Sequence, residues 1–402
     1  MVDRPELPEC PAFPFARSHA YEHPELYNQL QEHGPAAKVT LPTGDVVRLI
    51  TRFEDAKEIL IDRENIYSRK LLCEPDAPWF STLRPPPGML TTSDPPENTR
   101  LRRLAASGFT ARKVKALEPR MQAVTDKLLD DMADMTPPVN LVEALSLPLP
   151  IAMICLLLGV PPEGEALVHD WCNSLLTMTA ESPEDLMAQQ MTMANYILEL
   201  AKVKRAEPAD DLMTTLAKGV DEGTLDDGEL IMLIMFLCIA GHETTLSMIN
   251  GAVMTLLDHP EHKERFVTDP SCVDSYVEEL IRVNPIGDGG PLGIVTKDVE
   301  IGGVKISAGE AVLVPVGAAN RDRRRYEDPA AFVPERDNRD HLGFGGGAHS
   351  CLGAPFARAE LRIVLTSLFK RFPTLRLAVD REELQLKPTM SLHTLYTLPM
   401  TW

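Results

Sequence analysis

The sequence predicts a mainly α protein with a small, segregated β part (α+β), folded as a single domain over residues 1–402. Three observations carry that prediction. Residues 227–258 are long and apolar nearly all round, as in a helix that runs through a core. Residues 112–135, 271–283 and 352–371 show helical periodicity with charged faces. Only two short alternating runs flank turn sequences and read as sheet. The composition, 44% hydrophobic and 25% charged, supplies apolar material for a large core. No repeat, low-complexity tract or linker divides the chain.

Taken in order, residues 1–15 are rich in Pro and Glu. They lack a basic stretch followed by an apolar one, so they do not read as a secretory leader. Residues 36–41 and 46–50 flank Pro42-Thr43-Gly44-Asp45, a hairpin signal. Arg84-Pro85-Pro86-Pro87-Gly88 reads as a loop. The helix at 271–283 is bounded by Pro270 and Pro285. Residues 299–301 and 304–306 alternate around Gly302-Gly303, a two-residue turn that tolerates positive φ. The last long helix, 352–371, accepts Pro355 in its first turn.

Charge and cysteine usage narrow the function. A net charge of −19 repels phosphate backbones and argues against nucleic-acid binding. The longest apolar run, residues 230–240, is 11 residues, short of the roughly 20 that span a bilayer. The expected location is cytoplasmic, with no membrane anchor. Seven cysteines, at 10, 73, 155, 172, 238, 272 and 351, are scattered and form no C-x-x-C pair. That disfavours a disulfide framework and a Cys-rich zinc site. Six read as small buried apolar residues.

Cys351 has different neighbours: His341-Leu342-Gly343-Phe344-Gly345-Gly346-Gly347-Ala348-His349-Ser350-Cys351-Leu352-Gly353. Glycines at 345, 347 and 353 allow tight turns and close approach to a flat ligand. The positive end of the helix that follows would favour thiolate at Cys351. A thiolate suits a haem iron. Phe344 can cover the sulfur, and His349 can reach a haem propionate. Two alternatives stand beside this. A lone cysteine before a helix is usually packing, and a Gly-rich loop can hold phosphate. The second lacks G-K-[ST], and G-x-G-x-x-G fails at Ser350.

The string Phe344-Gly345-x-Gly347-x-His349-x-Cys351-x-Gly353 resembles the signature of the cytochrome P-450 family, with six fixed positions in ten residues. The resemblance implies haem b held between the long central helix and the cysteine-loop helix, with Cys351 on the iron. Phe344, Gly345, His349 and Gly353 would line the cofactor. Glu279-Leu280-Ile281-Arg282 resembles the family's E-x-x-R pair, whose members share a helix face. By the same resemblance the pair is buried, supports the cysteine loop and is locked by a later arginine, here Arg336. Taken alone, such a pair is usually solvated and worth little.

Ala240-Gly241-His242-Glu243-Thr244-Thr245 resembles the family's oxygen-activating motif. Ala240 and Gly241 would lie beside haem, and Gly241 permits local opening of the helix. Glu243 and Thr244 would form an acid–alcohol pair that delivers protons for O–O cleavage. Thr244 bonding back to the preceding turn is the simpler alternative. A zinc motif H-E-x-x-H fails because residue 246 is Leu. Cys238 and His242 lack further metal ligands.

Asp94-Pro95-Pro96-Glu97-Asn98-Thr99-Arg100-Leu101-Arg102-Arg103 resembles the start of the helix that carries propionate-binding His and Arg. Arg102 fits, whereas Asn98 stands at the His position. Gly293 stands where bacterial members usually carry another propionate-binding Arg. The expectation is a haem held less tightly by Arg102 and His349, or substrate or solvent in the freed space.

The resemblance extends along nearly the whole chain and points to the soluble actinobacterial type that tailors secondary metabolites. It implies electrons from NAD(P)H through a separate reductase and ferredoxin, since no flavin or nicotinamide motif is present. Arg100, Arg102, Arg103, Arg112, Lys113 and Lys115 form a basic cluster that either docks an acidic ferredoxin or is a solvated face. Substrate would meet residues 72–90 with Leu90, Ala240, residues 286–294 with Ile286 and Leu292, and the turn 390–393 with Leu392. The Pro-rich loop and residues 171–204 would form a lid. The expected reaction is O2-dependent hydroxylation or epoxidation of a bulky apolar polyketide, macrolide, terpenoid or peptide by a monomer. Oxidative coupling on the same fold and a non-catalytic haem-binding accessory protein are the competing readings.

Overall fold

The computed structural model describes residues 9–81, 84–177, 183–336, 339–387 and 392–402. Its axis is the helix Asp227–Asp258. Asp226 caps it: the side chain accepts from Glu229 N at 2.8 Å, and Glu229 accepts from Asp226 N at 3.2 Å. Every residue from Thr245 to Met254 is buried. A helix buried on all faces must pass through the core. This helix is long and apolar enough to cross a membrane by composition alone. Here its neighbours are the helices Pro148–Leu158, Pro162–Thr177, Pro183–Ala206 and Val273–Val283.

The other expected helices form at Ala111–Ala133, Val273–Val283 and Ala354–Arg371. The last starts two residues later than its periodicity suggests. Cys351 N donates to Phe344 O at 2.7 Å, which closes the preceding loop and holds the chain out of the helix until Gly353.

The strands are β1 (Ala36–Thr40), β2 (Val46–Ile50), β3 (Tyr67–Ser68), β4 (Val139–Asn140), β5 (Leu292–Val295), β6 (Val299–Ile301), β7 (Val304–Ile306), β8 (Ala311–Leu313), β9 (Arg376–Leu377) and β10 (Pro399–Thr401). They form a five-stranded sheet in the order β1-β2-β8-β5-β3, a three-stranded sheet β4-β10-β9 and the pair β6-β7. Both expected hairpins are present. Gly302 and Gly303 take φ 54° and 86°, as a two-residue hairpin turn requires. Sequence reading missed β3, β4, β5, β8, β9 and β10. β5 and β8, for instance, are buried at every position and show no alternation.

Candidate active site

The cysteine loop is two single turns, Leu342–Phe344 and Gly347–His349, joined through glycines at positive φ. At Gly347, φ is 59° and a Cβ would lie 2.4 Å from Ile61 O. Only glycine fits there. Cys351 is the one exposed cysteine among the described residues, and its exposure is into a cavity. Burial pushes its thiol up, against the Gly353 and Ala354 N–H groups, Arg102 and Arg358. The N–H groups at the helix start favour thiolate, as the sequence suggests, but burial outweighs them. Metal coordination would have to complete the deprotonation. The Phe344 ring is covered by the Arg358 guanidinium, 4.5 Å from its centroid.

The loop rests on a buried polar network. Arg282 Nε and Nη2 donate to Glu279 at 2.8 and 2.7 Å, with both side chains 0% exposed. Its remaining donors reach Asn320 O, Pro329 O and Ala331 O at 2.8–2.9 Å. All five guanidinium N–H groups are thus used. Arg336 Nε stands 3.5 Å from Glu279, and Val333 N donates to the same carboxylate. Asn320 Oδ1 accepts from Leu342 N at 2.7 Å, which ties the network to the loop.

Sequence reasoning missed Asn320 and a second support. Glu278 takes two hydrogen bonds from Arg358 and lies 3.2 Å from His341 Nε2. Burial alone would raise its carboxyl, but Arg358 and His341 hold it down at about 2. No local spacing signals a pair 80 residues apart.

On the central helix, the expected acid–alcohol pair is split. Thr244 lines the cavity and donates to Ala240 O at 2.6 Å, the back-bonded arrangement. Glu243 does not line it. Its buried carboxylate accepts from Thr394 Oγ1 at 2.8 Å, and Thr394 Oγ1 lies 3.3 Å from Ser247 Oγ. Burial raises the Glu243 pKa, opposed by Thr394 and Lys387. Adjacent helical residues do not share a face, so the two side chains diverge. Gly241 packs toward Ile154 rather than into the cavity, and the helix continues unbroken.

Arg102 donates to Ser350 Oγ at 3.0 Å. His349 lines the cavity, and burial, reinforced by Arg69 and Arg102, lowers it to about 4. Asn98 is not where a cofactor-binding residue should be. It is 1% exposed, and its Nδ2 donates to Leu90 O at 2.8 Å. Its helix, Glu97–Ala106, turns the amide into the preceding loop. Gly293 lies in β5, next to Tyr67.

The cavity is about 570 Å³. Cys351, Phe344, Ala240 and Thr244 line it, with Trp79, Phe80, Met89 and Met248 among the apolar walls. Ile286, Leu292 and Leu392 line it as expected. Leu90 does not: it is buried, and Met89 faces the space instead. Pro85 of the Pro-rich loop contributes, whereas no described residue of 171–204 does. Residues 178–182, 390 and 391 lie outside the described residues.

The basic cluster is partly ion-paired. Arg100 pairs with Glu229, Lys113 with Asp210 and Lys115 with Glu118, and Arg102 is turned to the site.

A thiol in an apolar cavity, flanked by arginines without carboxylate partners, fits a flat apolar ring that carries a metal and two carboxylates. The known proteins agree. The cytochrome P-450 family profile matches residues 271–397. Nocardicin C N-oxygenase from Nocardia uniformis subsp. tsuyamanensis is 40% identical, over 97% of this chain and 98% of its own. Mycinamicin IV hydroxylase/epoxidase from Micromonospora griseorubida is 35% identical over 97% and 98%. The crystal structure of cytochrome P-450 MoxA from Nonomuraea recticatena has a TM-score of 0.89 at 37% identity, covering 97% of this chain and 98% of that one. The chain belongs to the cytochrome P-450 family.

Proposed function

We propose that this cytochrome P-450 monooxygenase hydroxylates or epoxidises a bulky, mostly apolar small molecule of secondary metabolism. The observation that carries this is the 570 Å³ cavity with apolar walls and Cys351 on its floor. The hydroxylase/epoxidase among its relatives supports the reaction type. Electrons would come from NAD(P)H through a separate ferredoxin reductase and ferredoxin, and the enzyme would work as a cytoplasmic monomer.

Cys351 would hold the iron of haem b, with Phe344, Gly345 and Gly353 in the loop around it. Arg102 and His349 would hold its propionates. When bound, the haem supplies an iron that activates O2 with two electrons and two protons. The chain's own residues manage those protons. Thr244 presents a hydroxyl to the cavity, and its bond to Ala240 O fixes its direction. Glu243 keeps a proton more readily than an ordinary carboxyl because it is buried. Thr394 orients that carboxyl. The apolar walls exclude bulk water and align the substrate.

A reduced carbon-monoxide spectrum tests the site, and product mass tests the reaction. A haem-thiolate Soret band that Cys351→Ser abolishes, with a product heavier by one oxygen, supports the reading. Folded protein without that band overturns the site. A product lighter by two hydrogens would instead mean coupling.

A further inference from the structure

We propose that Arg69 is a carboxylate-binding residue of this site, that it fills from the turn after β3 the place Gly293 leaves open on β5, and that its ligand is a propionate of the cofactor. The inference rests on the assignment of Cys351 as the haem ligand.

The strand register carries the first part. β3 pairs antiparallel with β5 through Tyr67↔Val295 and Ser68↔Ile294. The paired ladder ends at Ser68, and Arg69 turns with φ −89° and ψ −27° into the short helix Lys70–Cys73. Gly293 is the next residue of β5 beyond the Ser68↔Ile294 pair, so the two positions are neighbours across the end of the ladder. A Cβ at 293 would meet Tyr67 at 3.4 Å, an ordinary contact.

Two cavities carry the second part. Arg69 lines the main cavity beside Cys351 and His349. It also lines a smaller one of about 30 Å³ with Gly293 and His349. Among the described residues, nothing accepts a hydrogen bond from its guanidinium, and no carboxylate pairs with it. Asp94 is near but engaged: Oδ1 accepts from Arg69 N at 2.8 Å and Lys70 N at 3.4 Å, and Oδ2 accepts from Ser68 Oγ at 2.5 Å. Burial lowers Arg69 to about 10, opposed by Asp94 and Asp62, so it stays charged at neutral pH. An enclosed cation without a partner is unfavourable.

Charge counting carries the third part. Arg102 is the other cation near His349, and its hydrogen-bond partner is the neutral Ser350 hydroxyl. Two guanidinium forks without carboxylates match a ligand with two carboxylates, a geometry that arginine binds in bidentate fashion. A substrate carboxylate offers Arg69 the same chemistry, so the test must separate the two sources.

The measurement is haem loss from substrate-free holoenzyme to apomyoglobin. Arg69→Gln is expected to speed it by roughly tenfold or more, the size of one charged hydrogen-bonded contact. Arg69→Lys, which keeps the charge and loses the fork, should fall between. Adding Gly293→Arg to Arg69→Gln should slow the loss again. The proposal is overturned if Arg69→Gln keeps haem as long as the parent. It is equally overturned if the only change is weaker binding of a ligand with a free carboxylate relative to its methyl ester. The haem-thiolate carbon-monoxide band of the parent is recorded alongside. Its absence would remove the Cys351 assignment itself, a failure distinct from an unchanged rate of haem loss.

Discussion

Arg282 and Arg69 both carry charge near the cavity, and the chain treats them in opposite ways. Arg282 has a partner for each of its five donors, all from the chain itself. Arg69 has none among the described residues, and Arg102 has one hydroxyl. The paired charge is framework: it fixes Asn320 and, through it, the cysteine loop. The unpaired charges face the cavity, where a ligand can satisfy them. Residue type does not separate the two roles. The accounting of donors and acceptors does.

The sharpest way to break this contrast is to cut the paired side. Glu279→Gln or Arg282→Met should cost about 3–5 kcal/mol, because each leaves a buried charge uncompensated. Urea unfolding of haem-free protein measures it, and a loss that appears only with haem bound would contradict the framework role. Glu360 provides an intermediate case. It is 2% exposed, and its Oε1 has no partner among the described residues. Burial raises it to about 8, so the folded protein keeps this acid neutral. Below the ordinary carboxyl range both states are protonated and Glu360 has no effect on stability. From there to about pH 8 the unfolded chain releases a proton that the folded chain retains, so stability falls. Glu360→Gln should remove that fall, which reaches on the order of 5 kcal/mol. Unfolding curves at pH 5 and pH 9 should show the variant gaining on the parent only at pH 9.

Arg102→Gln probes the unpaired side. Haem-free stability should change by less than about 1 kcal/mol, while haem loss accelerates. A haem-free loss as large as that of Arg282→Met would erase the distinction. The smallest effect belongs to a charge that is neither buried nor near the site. Lys127 and Asp131 are an exposed i,i+4 pair, and Lys127→Ala should shift stability by about 0.3–0.5 kcal/mol.

Much of this was legible in the sequence where spacing is local. The cysteine loop, the Glu279/Arg282 pair and the full extent of the central helix are patterns within one element. The divergence of Glu243 from Thr244 was also readable, since successive helical residues turn by about 100°; motif resemblance obscured it. Other features come from contacts between distant segments. Asn98 looks like a ligand until Leu90 O takes its amide. Glu278 and Arg358 meet only when two helices pack. Arg69 directly follows a two-residue strand whose partner is more than 200 positions away. The counter-charges of Arg100 and Lys113 in the basic cluster likewise come from other elements.

The small cavity that Arg69 and Gly293 both line also constrains how such a site changes over generations. The effect of either residue depends on the other. Gly293→Arg on the present background would bring two guanidiniums into that space, where like charges repel. The same change after loss of Arg69 would restore the site. Moving the arginine between these positions one substitution at a time therefore passes through a chain with either two or none, and each of those intermediates should hold its cofactor less well than the endpoints.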